Sequence, residues 1–197
     1  PTYDTGRLLV FLTLVVLSIP VGLLLEALLL RFGPKVAAGT HRIRRPRHIL
    51  ALLRDSVVQS AGNWLSGTLF WPIWLRLAGA RIGKQTEIST IAGVLPEHLT
   101  IGARTFLADG IYLGGPRVGQ GLMRVGPVAI GRESFFGNHV VIHPGTKLPD
   151  GILLGVCTVA DPGQISAQSS WFGHPPFQLP RREIVTTAER LTFQPGP

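Results

Sequence analysis

Charge is scarce in this chain. Of 197 residues only 15% are charged, and the balance leans basic, with 19 Lys and Arg against 11 Asp and Glu. Cysteine is almost missing: Cys157 stands alone, which excludes an internal disulfide and fits a reducing compartment. Within the run Leu154 to Val159 it reads as a small core residue rather than a nucleophile. Ligand spacing for a metal is lacking as well, since only His139 and His143 lie close together and no third ligand accompanies them, so no metal site is expected. No basic face interleaved with aromatics goes with the net charge of +8, which argues against nucleic acid. The charge points instead to anionic lipid, a phosphorylated cofactor or an acidic protein. An ordinary helical domain is a poor fit to 24 Gly and 16 Pro.

What is abundant is unevenly placed. Hydrophobic residues make up 45% of the chain and concentrate at residues 8–30, where Glu26 is the one ionisable side chain. A helix there spans roughly 34 Å, enough for a bilayer core of about 30 Å. Pro20 and Gly22 are tolerated in such helices. The reading is a transmembrane helix within residues 1–33; the alternatives are a signal peptide and a buried core helix. A signal peptide carries its positive charge ahead of a shorter apolar run, and here the charge follows. Arg31, Lys35, Arg42, Arg44, Arg45, Arg47 and Arg54 come next with no acid among them. The positive-inside rule puts this segment at the cytoplasmic face. Residues 34–79 are expected to be juxtamembrane and helical. Leu65, Leu69, Ile73 and Leu77, four apart, form an apolar stripe, and Trp64, Trp71 and Trp74 suit an interfacial or re-entrant helix. A second span remains the alternative.

From residue 80 onward a beat of six takes over: Ile130, Phe136, Ile142, Leu148 and Leu154. Small residues follow four positions after the first three of these, at Ser134, Val140 and Thr146, and Gly131 directly follows Ile130. This period belongs neither to an α-helix nor to a flat strand. It is the hexapeptide signature of a left-handed parallel β-helix, in which short strands send large and small side chains inward and the other residues turn corners. Ile82-Gly83 with Thr86, then Ile88 with Ala92, start the pattern; Ile101-Gly102 with Thr105, Leu107 and Leu113 continue it; Val159, Ile165, Trp171 and Phe177 close it. A mainly β fold over residues 80–180 is therefore predicted, with about five coils, above the rough minimum of three repeats. Stacking the phases puts Ile101, Ile130, Leu148 and Ile165 in one wall and Leu107, Phe136, Leu153 and Trp171 in the next. Residues 93–98 and 114–127, rich in Gly and Pro, should protrude as loops. Residues 181–197 read as an exit tail or linker.

Chemistry is sought at the corners. His139 and His143 flank the strand Val140 to Ile142 and should be exposed there. A neutral imidazole can take a proton from an amine as it attacks a thioester. Asp109 follows Leu107 as Asn138 follows Phe136, so the two should be neighbours about 4.8 Å apart on adjacent coils. His139 as base with Asp109 as its orienter is the candidate pair, His143 a second catalytic candidate, and Asn138 a substrate contact. Solvated corner residues are the plain alternative. His98 and His174 fall in loops.

Residues 169–183 resemble the closing segment of hexapeptide acyltransferases, typically Gly-Asn-Pro-Ala followed by a basic residue, although Gly173, His174, Pro175 and Pro176 replace that core. In those enzymes the segment helps to hold the pantetheine arm of coenzyme A. The resemblance implies substrate-binding roles for His174 and Arg181, and the altered loop fits a carrier-borne arm.

Taken with the apolar span, residues 70–83 leading into the coil, the Gly137-Asn138-His139 corner and residues 148–156, this makes nearly the whole chain resemble the membrane-embedded C-terminal modules of amino-acid homopolymer synthetases. That family is related to the nonribosomal peptide synthetases, and ε-poly-L-lysine synthetase is its best-known type. The resemblance implies amide-bond formation between a carrier-bound aminoacyl thioester and an amino-acid amine. It implies no tightly bound cofactor, a donor presented on a phosphopantetheine arm, and an acidic carrier domain as partner. It also implies a membrane setting and neighbouring homologous modules forming a trimer or pseudo-trimer. The chain has neither an adenylation motif nor a carrier serine motif, so it is expected to act within or beside a larger polypeptide. A membrane acyltransferase using acyl-coenzyme A and a non-catalytic scaffold are the other two readings.

Overall fold

In the computed structural model, residues 5–43 and 45–180 are described. The first element is α1 (Thr5–Phe32), the one helix among the described residues long and apolar enough to cross a membrane. Its outer side chains are exposed along most of its length, and only Ala27 and Leu30, near its C-terminal end, are buried. α2 (Pro46–Leu65) opens with proline at its first turn, where a missing N–H leaves nothing unpaired. α3 (Phe70–Ala78) ends at Gly79, whose φ of +117° supplies the left-handed cap.

The expected stripe from Leu65 to Leu77 does not lie on one helix. The chain turns at residues 66–69, with Gly67 at φ +73°, so one helix ends at Leu65 and the next begins at Phe70. α3 then turns Trp71 and Trp74 inward, stacked with centroids 5.4 Å apart, while Leu69, Phe70, Ile73 and Leu77 stay exposed. The interfacial role expected of Trp71 and Trp74 is thus corrected, because they close the base of the coil. Trp74 Nε1 donates to the Leu23 carbonyl at 2.7 Å, and Arg76 donates to the carbonyls of Ile82 and Gly83.

Beyond Ala80 the chain visits three stacked parallel sheets in turn. The first wall pairs Arg81–Ile82, Leu99–Ile101, Val128–Ile130 and Lys147–Leu148. The second pairs Glu87–Ile88, Phe106–Leu107, Phe135–Phe136, Leu153–Leu154 and Ser170–Phe172, closed by an antiparallel Phe177–Gln178. The third pairs Ile91–Ala92, Ile111–Leu113 and Val141–Ile142, with a bridge from Val141 to Val159. All five residues of the principal beat are buried, as are Ser134, Val140 and Thr146. The glycines are placed by stacking: a Cβ on Gly102 would lie 2.5 Å from the backbone nitrogen of Arg132 on the next coil, and one on Gly131 2.5 Å from that of Asp150. Buried hydroxyls replace lost water, as Thr86 donates to the Gly102 carbonyl at 3.0 Å and Thr105 to that of Gly131 at 3.1 Å.

The architecture is mixed, helices followed by stacked strands, rather than mainly β. Leu154, not Leu153, shares the inward row with Phe136 and Trp171, and Ile165 is buried without a strand pairing among the described residues. In the first coil Ile91 points inward and Ala92 outward. Of the two expected loops, residues 93–98 do not protrude, whereas residues 114–127 leave the coil without disturbing its stacking. Residues 93–98 tuck beneath α2, with Val94 and Leu95 buried. Residues 114–127 fold into a hairpin, Arg117–Gly119 with Leu122–Val125, which pairs with Gly39–Arg42 and buries Met123 and Val125 beside Val36, Ala51 and Leu95.

α1 is fastened to the coil through Arg54, a buried cation. It donates to the carbonyls of Leu30 at 2.8 Å and Pro34 at 2.9 Å, and to Glu97 at 2.8 Å. A helix C-terminus leaves carbonyls unpaired and carries partial negative charge, so a guanidinium there serves both needs.

Candidate functional site

The corner between the second and third walls carries a column of polar residues, one group per coil: Ser89 and Thr90, Asp109 and Gly110, Asn138 and His139, then Cys157. Leu107 to Ile111 and Phe136 to Val140 turn the corner with equal lengths, so Asp109 aligns with Asn138, as the sequence pattern anticipated. The backbone N–H of Asp109 donates to Asn138 Oδ1 at 3.2 Å, and that of His139 donates to the Asp109 carbonyl at 2.8 Å. His139 is exposed and holds φ at +58°, a left-handed angle that histidine accepts more readily than most side chains. Its imidazole lies over Gly110, where any Cβ would run into Nδ1.

The first coil is one residue shorter at this corner, which curls Ser89 and Thr90 beneath Asp109. The Ser89 hydroxyl donates to Asp109 Oδ1, as does that of Thr90 at 3.2 Å, and Thr90 Oγ1 also accepts the Gly110 N–H at 2.7 Å. The hydrogen bond from Ser89, chiefly, holds the Asp109 carboxyl below the usual carboxylate range against an opposing effect of desolvation; Thr90 and the charge of His139 add less. The carboxylate is therefore directed at hydroxyls rather than at the imidazole. Asp109 acts on His139 through its backbone carbonyl and its negative charge, which differs from the side-chain orienter expected.

His143 goes elsewhere. It lies past the third wall, at the next corner, half-buried, with Nδ1 enclosed and unpaired. Burial first, then the charges of Arg117 and His174, push it below the ordinary imidazole value. His174, in the turn before Phe177, and Arg117, on the hairpin, lie near enough to His143 to act on it by their charge, apart from Asp109. Arg181 lies outside the described residues. Cys157 is exposed, not a core residue: it sits on the coil after His139, its N–H donating to the Asn138 carbonyl at 2.9 Å.

Next to the Asp109 corner, a groove of about 590 Å³ runs between the start of α3 and the outer face of the second wall. Leu69, Pro72, Ile73 and Phe106 give it apolar sides, Glu87 and Arg76 its charges, and Ser89 its inner limit. Sequence reasoning missed Ser89, Thr90, Gly110 and this groove. The shortened corner between Ile88 and Ile91 was the visible signal for the hydroxyls, whereas the groove depends on where α3 docks.

No protein-family model matches the chain. In sequence it is 36% identical over 168 residues, 83% of its length, to a delta-poly-L-ornithine synthetase of Acinetobacter baumannii, of which it spans 13%. In structure it is similar to a maltose O-acetyltransferase from Clostridium difficile, at a TM-score of 0.53 with 15% identity over 76% of this chain and 95% of that one. The chain is thus similar in sequence to a segment of a poly-ornithine synthetase and similar in fold to a sugar O-acetyltransferase.

Proposed function

We propose that this chain is an acyltransferase-like module that forms amide bonds at a membrane surface. An amine nitrogen attacks the carbonyl of an aminoacyl thioester, the C–N bond forms, and the C–S bond breaks to release the pantetheine thiol. His139 takes the proton from the attacking nitrogen and returns it to the departing sulfur. The exposed Asp109 carboxylate, whose value Ser89 lowers further, favours the positive charge that builds on the imidazole. The observation that carries this reading is the column of Ser89, Asp109 and His139 on one open corner. A left-handed sense for the coil goes with the likeness to a sugar acetyltransferase.

The similarity to a poly-ornithine synthetase supports a diamino-acid acceptor of the ornithine kind, an identity the sequence pattern left open. The donor is read as an arm on an acidic carrier. Arg117, on the hairpin beside His143 and His174, suits the phosphate of such an arm, and Asn138 suits a contact to the thioester. Neighbouring homologous modules would complete a trimer or pseudo-trimer. α1 is read as the membrane anchor, since its last turn, with Ala27 and Leu30, belongs to the protein core, and the strands then lie on the cytoplasmic side.

His139→Ala is expected to lower turnover of an aminoacyl-pantetheine thioester with an amine acceptor by about 10²-fold or more, with circular dichroism unchanged. Undiminished turnover would remove the base from the mechanism.

A further inference from the structure

The groove beside α3 ends one hydrogen bond short of Asp109, because Ser89 both lines it and donates to that carboxylate. Leu69, Pro72, Ile73 and Phe106 give it apolar surface, and Thr68, Gln85 and Thr86 add uncharged polar groups. Of its two charged groups, Arg76 is turned into the carbonyls of Ile82 and Gly83, at 2.8 and 2.6 Å. Glu87 is exposed on the outer face of the wall and carries no ion pair among the described residues. On that face Phe106 follows Glu87 in register, stacked on Phe135 with centroids 5.2 Å apart and planes 6° from parallel. A carboxylate beside an exposed aromatic face, above an apolar trough, is a setting for an alkylammonium ion: the acid supplies the counter-charge, the rings a cation–π contact, and the trough contact for methylenes.

We propose that this groove is the acceptor subsite and holds the non-reacting ammonium of a diamino substrate at Glu87, leaving its other amine at the Ser89–Asp109 end, beside His139. The proposal rests on the amide-forming reading and adds to it a residue that sets specificity. An acceptor with two amines would be oriented by the one that stays charged, so Glu87 would decide which nitrogen reacts.

The test uses the full chain in nanodiscs of neutral phosphatidylcholine, titrated calorimetrically with 1,5-diaminopentane and with 1-aminopentane. The wild type should bind the diamine about fivefold more tightly or better, a preference that weakens with salt. Glu87→Gln should abolish the preference, Glu87→Asp should keep part of it, and Phe106→Leu should weaken both amines. Equal affinity for the two amines in the wild type, a preference that survives Glu87→Gln, or displacement of the diamine by coenzyme A would each overturn the assignment. His139→Ala keeps the two readings separable: diamine binding should persist while turnover is lost. Turnover that persists in His139→Ala would remove the base and leave the groove standing.

Discussion

His139 occupies a backbone angle that most side chains avoid, and it does so because the corner must turn within a few residues while its N–H reaches the carbonyl of Asp109. The glycine beneath it gives the ring room, and the hydroxyls beneath Asp109 donate to that carboxylate and lower its proton affinity. These effects can be tested separately. The Asp109 carboxyl is held low chiefly by Ser89. Ser89→Ala is therefore expected to raise it toward the ordinary carboxylate value near 4, observed by carbon NMR of that carboxyl across an acid titration. The sign follows from linkage. A carboxyl depressed on folding adds stability above its unfolded value and loses it as pH falls through its folded value, so removing Ser89 should narrow that acid-sensitive range and shrink what Asp109 adds above it. An Asp109 titration unchanged in Ser89→Ala would mean that the hydroxyl does not control the charge.

At the scale of elements, the helices close one end of the coil rather than forming a separate domain, since Leu30, Trp71, Leu75, Ile82 and Ile101 share one apolar core. The joint between α1 and the rest runs through the Arg54–Glu97 pair, with side chains 4% and 8% exposed. A buried pair adds little net stability, yet removing one partner strands the other charge. Arg54→Ala is expected to lower stability by roughly 3–5 kcal/mol, whereas replacing both residues with apolar side chains should recover much of it, as read from thermal melts in detergent. Equal losses in the single and double variants would show that the carbonyls of Leu30 and Pro34, not the ion pair, hold the joint.

The molecule as a whole presents exposed apolar side chains along α1 and on Trp64, Leu69, Phe70, Ile73 and Leu77 of the following helices. The groove opens beside Leu69 and Ile73, so an amphipathic substrate would meet apolar side chains at its mouth. The proposed anchoring by α1 and the proposed cytoplasmic side of the coil can both be tested through Cys157, the single cysteine of the sequence, which is exposed. A membrane-impermeant maleimide is expected to label Cys157 in inside-out vesicles and to leave right-side-out vesicles unlabelled. The reverse pattern would place the coil outside the cytoplasm.

The period of six determined on its own that residues from 80 onward form stacked short strands, and it aligned Asp109 with Asn138, because every coil must put a large side chain inward and repeat its corner in step. The apolar run from Leu8 likewise revealed α1. Lateral packing lies beyond such periodicity. The period marked Leu154 as inward but could not fix the wall, which the register of Leu154 with Phe136 and Trp171 settles. Nor could it show that Trp71 and Trp74 turn inward, that residues 93–98 and 114–127 fold back on the helices, or that the Asp109 carboxylate turns to Ser89. Those choices fall to tertiary structure, because each depends on contacts between segments far apart in the chain.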